Sequence, residues 1–375
     1  MLAAGTAAQA SISAVLIGLS ALAPALRDDL GLSLAQIGAL FAATNLGQMA
    51  TLLLWGFAAD RAGERAVIAA GLTAAGAALA GAAFVSTFVP LFCLLAAAGA
   101  LGAGVNAGSG RAVLRWFAPE QRGLALGIRQ TAIPIGGVVA ALTLPALAHW
   151  DGPRAAFLGL AAFCLAGALA GALVVRDRPG EPPVAPAVPW TLRDRSLWLL
   201  SAGSGLYIVA QTGLIGFVVL FLHDERGVGA SRAAAVLAAM QVLGAALRIG
   251  TGIWSDRLGA RFVPLRRVGL ALAAAAGISA ALLDAPLPLL VPVLIVAGGL
   301  SMGWNGLSFA AAAELGGHAR SGAAIGFQQT ALAVAGAAAS VAFAAVAGVS
   351  WYAAFGLAAA APLLGRRVLA AVADR

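Results

Sequence analysis

The run QVLGAALRIGTGIWSDRLGAR (Gln241–Arg261) is apolar enough at its start to lie in a bilayer, yet Arg248 stands in the middle of that apolar part. An arginine near the centre of a spanning helix costs roughly 2.5–3.5 kcal/mol on an insertion scale, so it marks a functional site by default. Gln241, Gly244, Arg248 and Gly252 are spaced i, i+3, i+7, i+11, which places them on one small, polar helix face. The other faces are Ala, Leu and Val. The run leaves the membrane as a charged turn, Gly252-Ile-Trp-Ser-Asp256-Arg257-Leu-Gly259-Ala-Arg261, and the same signal stands 196 positions earlier. There it reads Gly56-Phe-Ala-Ala-Asp60-Arg61-Ala-Gly63-Glu-Arg65.

Composition places the whole chain in the membrane. Of its 375 residues 61% are hydrophobic and 10% charged, with a mean hydropathy of +0.95, values outside the range of soluble domains. Apolar runs of about twenty residues read as spanning helices. Twelve are expected, at 6–26, 34–57, 66–86, 90–113, 122–148, 153–175, 196–222, 231–254, 264–283, 287–312, 321–346 and 350–372. The first is expected to be retained, not cleaved as a signal peptide. All 23 basic residues are arginine. With the amino terminus inside, the outer side holds only Arg27, Arg154, Arg226 and Arg232, and most others fall on inner loops or the carboxyl tail. The positive-inside rule then sets both termini in the cytoplasm.

Several function classes drop out. The net charge of +8 is spread over membrane loops, which does not make a nucleic-acid surface. Cys93 and Cys164 both fall in expected spans, and His149, His223 and His318 lie far apart at helix ends or loops. Neither a disulfide framework nor a metal site is indicated, and no hydrolase, Walker or dinucleotide motif occurs. No enzyme and no cofactor are expected; the partners are the lipid bilayer and a small substrate, the chain a monomer.

The chain is internally duplicated. Residues 98–106 (AGALGAGVN) match 297–305 (AGGLSMGWN), and 127–132 (GIRQTA) match 326–331 (GFQQTA), both at an offset of 199. Three blocks in one order at nearly one offset imply two homologous six-helix halves. The expected domains are residues 1–175 and 196–375, joined by a proline-rich cytoplasmic linker at 176–195. The third, sixth, ninth and twelfth spans are almost wholly apolar in their central parts, whereas the others carry polar stripes. Buried polar groups in hydrocarbon need partners or water, so those stripes should face a cavity or a neighbouring helix.

On these residues the chain resembles the major facilitator superfamily of secondary transporters. The Gly-x-x-x-Asp-Arg-x-Gly signature after the second and eighth spans is the most specific mark. Asp29-Leu-Gly-Leu-Ser33 and Pro119-Glu-Gln-Arg-Gly123 are also similar to family patterns. The resemblance implies an all-α membrane fold of twelve transmembrane helices in two pseudo-symmetric six-helix bundles, with a substrate site near the midplane.

Two cations are the sharpest chemical signal. Arg129 and Arg248 each stand about two turns from the inner end of their spans, and no acid occupies the middle of any span, Glu314 coming nearest. In the family, the fifth and eighth spans face each other, which would point both guanidiniums into one space. Buried cations without acidic partners need an anion, which arginine's planar fork binds bidentately. The bland alternative is that these arginines hold helices together through carbonyls and amides. The position of Arg248, eight residues before Asp256, is similar to that of the arginine of monocarboxylate and oxalate/formate porters. The acid those monocarboxylate carriers place a few residues earlier is absent.

Other candidate substrate contacts are Asn45 and Gln241, Asn106 and Asn305, which are repeat-related pairs, with Tyr207, Gln211, Trp304, Gln328 and Gln329. Asp60, Arg61, Gly63, Arg65, Asp256, Arg257 and Gly259 are candidate gate residues. The expectation is a secondary transporter moving a small organic or inorganic anion across the bacterial inner membrane by alternating access. Ile133-Pro134-Ile-Gly136-Gly137 is imperfectly similar to an antiporter motif of drug exporters, which keeps an exporter open as the alternative. A transport-dead membrane sensor is the third reading.

Overall fold

The computed structural model describes residues 2–116, 128–176 and 193–372. Every regular element among them is helical. In chain order they are α1 (Leu2–Leu30), α2 (Leu34–Ala82), α3 (Phe88–Trp116), α4 (Ala132–Val174), α5 (Arg195–Gln211), α6 (Phe217–Leu220), α7 (Ala230–Leu258), α8 (Phe262–Ala281), α9 (Leu287–Gly303), α10 (Asn305–Ala347) and α11 (Trp351–Ala370). Two π-helical turns, Thr212–Gly216 and Phe221–Glu225, flank α6.

Ten helices among the described residues are long and apolar enough to cross a membrane. The sequence predicts twelve runs, and the difference has a local cause. The runs at 122–148 and 153–175 merge into one element, Ile128–Val174, and the run at 34–57 belongs to α2, of which only Arg61–Ala82 is among the ten. Each long helix is broken inside by residues with non-helical backbone: Gly63 (φ 84°) in α2, Asp151 and Gly152 (φ 60°) in α4, and Gly317 (φ 62°) in α10. The positive φ at Gly63, Gly152 and Gly317 is cheap only for glycine, so these three punctuate helices that composition alone would continue. α2 begins with a full capping box, Ser33 and Gln36 bonding each other's backbone N–H groups.

The chain forms two compact units, Met1–Pro183 with Val218–Ala238, and Val184–Phe217 with Ala239–Arg375. In the first, α2 and α3 touch backbone to backbone. A Cβ at Gly99 would lie 2.1 Å from the Thr44 carbonyl oxygen, and one at Gly47 would lie 1.9 Å from that of Ala96. Thr51 Oγ1 and Trp55 Nε1 both donate to Ala100 O, at 2.6 and 2.7 Å. Gly136 brings α4 equally close to α1, since a Cβ there would meet Ala10 O at 2.3 Å. Apolar lipid supplies no hydrophobic drive between helices, so close approach through small residues has to supply the attraction. In the second unit Gly365 lies against the Gly203 carbonyl, and Gly269 against the Tyr207 hydroxyl.

The repeat partner of Gly99 is Gly298, where an added Cβ would meet the Met240 side chain at 2.5–3.0 Å in place of backbone. A flexible thioether can move where a carbonyl cannot. Gly99→Ala is therefore expected to cost about 1–3 kcal/mol through overpacking, and Gly298→Ala clearly less. Melting temperatures of the two purified variants in one detergent check this; equal losses would mean that the Gly99 contact can relax.

Candidate functional site

Arg129 lies one helical turn before α4 begins in earnest and is 5% exposed. Its Nε donates to Ser109 Oγ at 2.8 Å. Its Nη2 donates to Gln9 Oε1 at 3.1 Å, to Asn106 O at 3.1 Å and, longer, to Asn106 Oδ1 at 3.4 Å. Three elements thus converge on one guanidinium: Gln9 from α1, Asn106 and Ser109 from α3, and the segment leading into α4. Every one of these partners is neutral, and among the described residues Nη1 makes no hydrogen bond.

The second unit holds a copy of this arrangement at the repeat offset. Gln328, the counterpart of Arg129, donates from Nε2 to Ser308 Oγ at 2.6 Å, and Ser308 is the counterpart of Ser109. Ser201 Oγ donates to Gln328 Oε1 at 2.6 Å, and Ser204 and Ser308 share a hydrogen bond of 2.8 Å. These four side chains are buried. One half spends its polar positions on a neutral, closed network; the other puts a permanent cation in the same place.

Arg248 is 7% exposed on α7. Its Nε donates to the Met302 carbonyl at 3.4 Å. That oxygen also accepts from Asn305 Nδ2 at 3.2 Å, and Asn305 Nδ2 reaches Gln211 Oε1 at 3.1 Å. The structure therefore gathers Arg248, Asn305 and Gln211 around the junction of α9 and α10. Trp304 sits at that junction, fully buried, edge-on to Tyr207 with ring centroids 5.7 Å apart. Tyr207 itself is wholly buried, its hydroxyl donating to Leu265 O at 3.3 Å. Gln241, on the same helix as Arg248, is wholly buried. Asn45 is occupied locally by the Phe41 carbonyl at 3.0 Å, and Gln329 is half-buried on α10.

At the end of α7 the backbone turns at Gly259 (φ 61°), as a left-handed glycine cap. The charged centre there is Arg261, a residue of the repeated motif that was not among the candidate gate positions. Its Nη1 donates to Asp256 Oδ1 at 2.5 Å and to Ser255 Oγ at 3.0 Å, while its Nε donates to Glu314 Oε1 at 2.7 Å. Burial opposes its charge, but the hydrogen bonds and charges of Asp256 and Glu314 outweigh this and raise its pKa. Arg257 points into solvent. In the first unit Gly63 holds the matching positive φ, and Arg61 and Arg65 are exposed. The side chain of Asp60, the 119–123 motif and most of the 176–195 linker lie outside the described residues. Gln9, Ser109, Ser204 and Ser308 also enter these networks, polar residues within apolar spans that were not among the candidate substrate contacts.

The repeat supplies a test of what Arg129 contributes. Arg129→Gln can keep the bond to Ser109, as Gln328 does with Ser308, so the variant should stay within a few degrees of wild-type melting temperature. Arg129→Leu removes the guanidinium donor from Ser109 Oγ, Gln9 Oε1 and Asn106 O, leaving among the described residues only the bonds of Ser109 Oγ to Val105 O and Gln9 Oε1. The loss is about 0.5–1.5 kcal/mol per hydrogen bond or more. It should melt clearly lower. If the two variants melt together, the hydrogen bonds drawn here do not carry the packing.

A family model described as Major Facilitator Superfamily matches residues 4–340. An uncharacterized MFS-type transporter of Mycobacterium tuberculosis is 34% identical over 319 residues, covering 84% of this chain and 71% of that protein. A probable sulfoacetate transporter of Cupriavidus necator is 25% identical over 67% of this chain and 63% of its own length. A hexuronate transporter of Bacillus subtilis is 27% identical over 44% of this chain and 39% of its own. Among solved structures, a bacterial homolog of the human lysosomal transporter Spinster superposes with a TM-score of 0.78 at 18% identity, covering 99% of this chain and 94% of that one. At that identity the likeness concerns the fold. With the matched model spanning almost the whole length, the chain is a multi-pass membrane transporter and belongs to the major facilitator superfamily.

Proposed function

We propose that this transporter is a twelve-span secondary carrier that moves a small organic or inorganic anion across the bacterial inner membrane by alternating access. Both termini and the 176–195 linker lie on the cytoplasmic side, and the protein acts as a monomer. The observation that carries the reading is the setting of Arg129. A guanidinium held in an apolar span by three neutral side chains and a carbonyl has no acidic hydrogen-bond partner among the described residues. Desolvating a cation in this way is expensive, and an arriving anion relieves the cost. The hydrogen bonds made by Nε and Nη2 fix the fork while leaving Nη1 available, which suits recognition of a planar carboxylate-like group. Arg248 gives the second unit a buried cation of its own. Sulfoacetate and hexuronates, the substrates named for two distant relatives, are both organic anions, which supports the same class.

The binding test uses purified protein and a panel of small anions. Arg248→Ala should lose at least about tenfold in affinity, since a hydrogen bond to a charged group contributes about 1.5–3 kcal/mol. Arg248→Lys should recover only part of it, because an ammonium keeps the charge but not the planar fork. Unchanged anion affinity in both stably folded Arg248→Ala and Arg129→Gln proteins would end the anion reading in favour of an exporter of neutral or cationic compounds.

The topology is tested with fusions at Pro186 and at Arg375 to a reporter active only outside the cytoplasm. Both fusions should be silent. Activity at both positions would overturn the twelve-span arrangement.

A further inference from the structure

Gln241 is 0% exposed, and neither its Nε2 nor its Oε1 has a hydrogen-bond partner among the described residues. A carboxamide in that state is costly in any protein interior and more so in a membrane, where no bulk water can replace the missing partners. Other midspan amides of the second unit are paired: Gln328 with Ser201 and Ser308, Asn305 with Gln211 and the Met302 carbonyl. Gln241 is the exception, and its place on α7 is informative.

At 100° per residue Gln241 and Arg248 point within about 20° of each other on the helix, two turns and about 10 Å apart along its axis. The face that packs on α9 is a different one. It carries Met240, Leu243 and Leu247, which lie against Gly298, Gly299 and Gly303, and Gly244, which lies against Met302, marks its border with the Gln241 face. Exposed Val242, Ile249 and Ile253 mark a third face. Gln241 and Arg248 thus share a buried stripe between these two faces, from which Arg248 Nε reaches the Met302 carbonyl of α9. Side chains on a helix lean toward its N-terminus, so the Arg248 stem runs back in the direction of Gln241. The contact of its Nε with Met302 O, beside the Met302 side chain that lies against Gly244, agrees with that lean.

An anion alone does not complete this set. It accepts hydrogen bonds, and so can serve Arg248 and Gln241 Nε2, but it has nothing to offer Gln241 Oε1. We propose that the transported anion carries its own hydrogen-bond donor, a hydroxyl or N–H group, which Gln241 Oε1 accepts while Arg248 holds the anionic end. The inference rests on the anion reading above and narrows it to hydroxylated or otherwise donor-bearing organic acids. It sets hexuronate-like acids ahead of sulfoacetate, whose two ionised ends carry no donor.

Calorimetry on the purified full-length protein tests this with matched pairs, lactate against propionate and glycolate against acetate, plus glucuronate and sulfoacetate. The hydroxylated member of each pair should bind about tenfold tighter, the difference expected when a buried acceptor gains a partner. Gln241→Met should bring the lactate-to-propionate ratio from about tenfold to near one, since both acids lose the Nε2 contact and only lactate loses the Oε1 contact. Equal binding of lactate and propionate to wild type would overturn the donor requirement without any variant having to fold. So would an intact preference in Gln241→Met. In both cases the anion reading stands if Arg248→Ala removes binding of both acids. If no acid in the panel binds wild type, this inference is overturned, and the anion reading falls with it when inorganic anions such as nitrate and phosphate also fail to bind.

Discussion

A buried guanidinium in an apolar span has to be hydrogen-bonded on most of its edge, and much of the first unit's polar architecture follows from that requirement. Arg129 draws Gln9 from α1 and Asn106 and Ser109 from α3 onto one point. The helices must therefore approach closely there, which Gly136 permits by leaving room for the Ala10 carbonyl. Charge, hydrogen bonding and small-residue packing thus describe one constraint: each polar atom withdrawn from water finds a neighbour, and each neighbour needs a glycine or alanine nearby to come near enough.

The duplicated half solves the same problem without a charge. Gln328 with Ser201, Ser204 and Ser308 makes a closed set in which donors and acceptors match. The two halves therefore keep one hydrogen-bond geometry, amide or guanidinium to the serine of the preceding polar helix, while differing in electrostatics. The second unit carries its cation elsewhere, at Arg248, next to the α9–α10 junction. A duplicated scaffold with divergent charge placement is how an internally symmetric protein can recognise a substrate that has no symmetry of its own.

The charged turn after α7 obeys a different balance. Arg261 pairs with Asp256 and Glu314 at the rim, where both acids are largely solvent-exposed, 70% and 58% at the side chain. Exposed pairs of this kind contribute only about 0–1 kcal/mol each. Such contacts hold a geometry weakly and do not hold a core together.

Residue pattern by itself determined the membrane setting, the duplication, the apolar and polar sorting of spans, the glycine-marked turns and the two membrane arginines. These depend on composition and on spacing along one helix, which are local properties of the chain. Tertiary structure decided what each polar group touches. That Arg129 is caged by residues 20 and 120 positions away, that Gln328 closes a network with Ser201, or that Arg261 is the hub of its turn follows from how helices are rotated against one another. These helices are rich in Ala, Gly and Leu on every side, so periodicity barely distinguishes their faces. The same reason hid the contrast between Tyr207, whose hydroxyl is spent on Leu265, and Gln241, whose amide has no partner. Both read as polar residues inside apolar spans, and only packing separates a satisfied group from one left open.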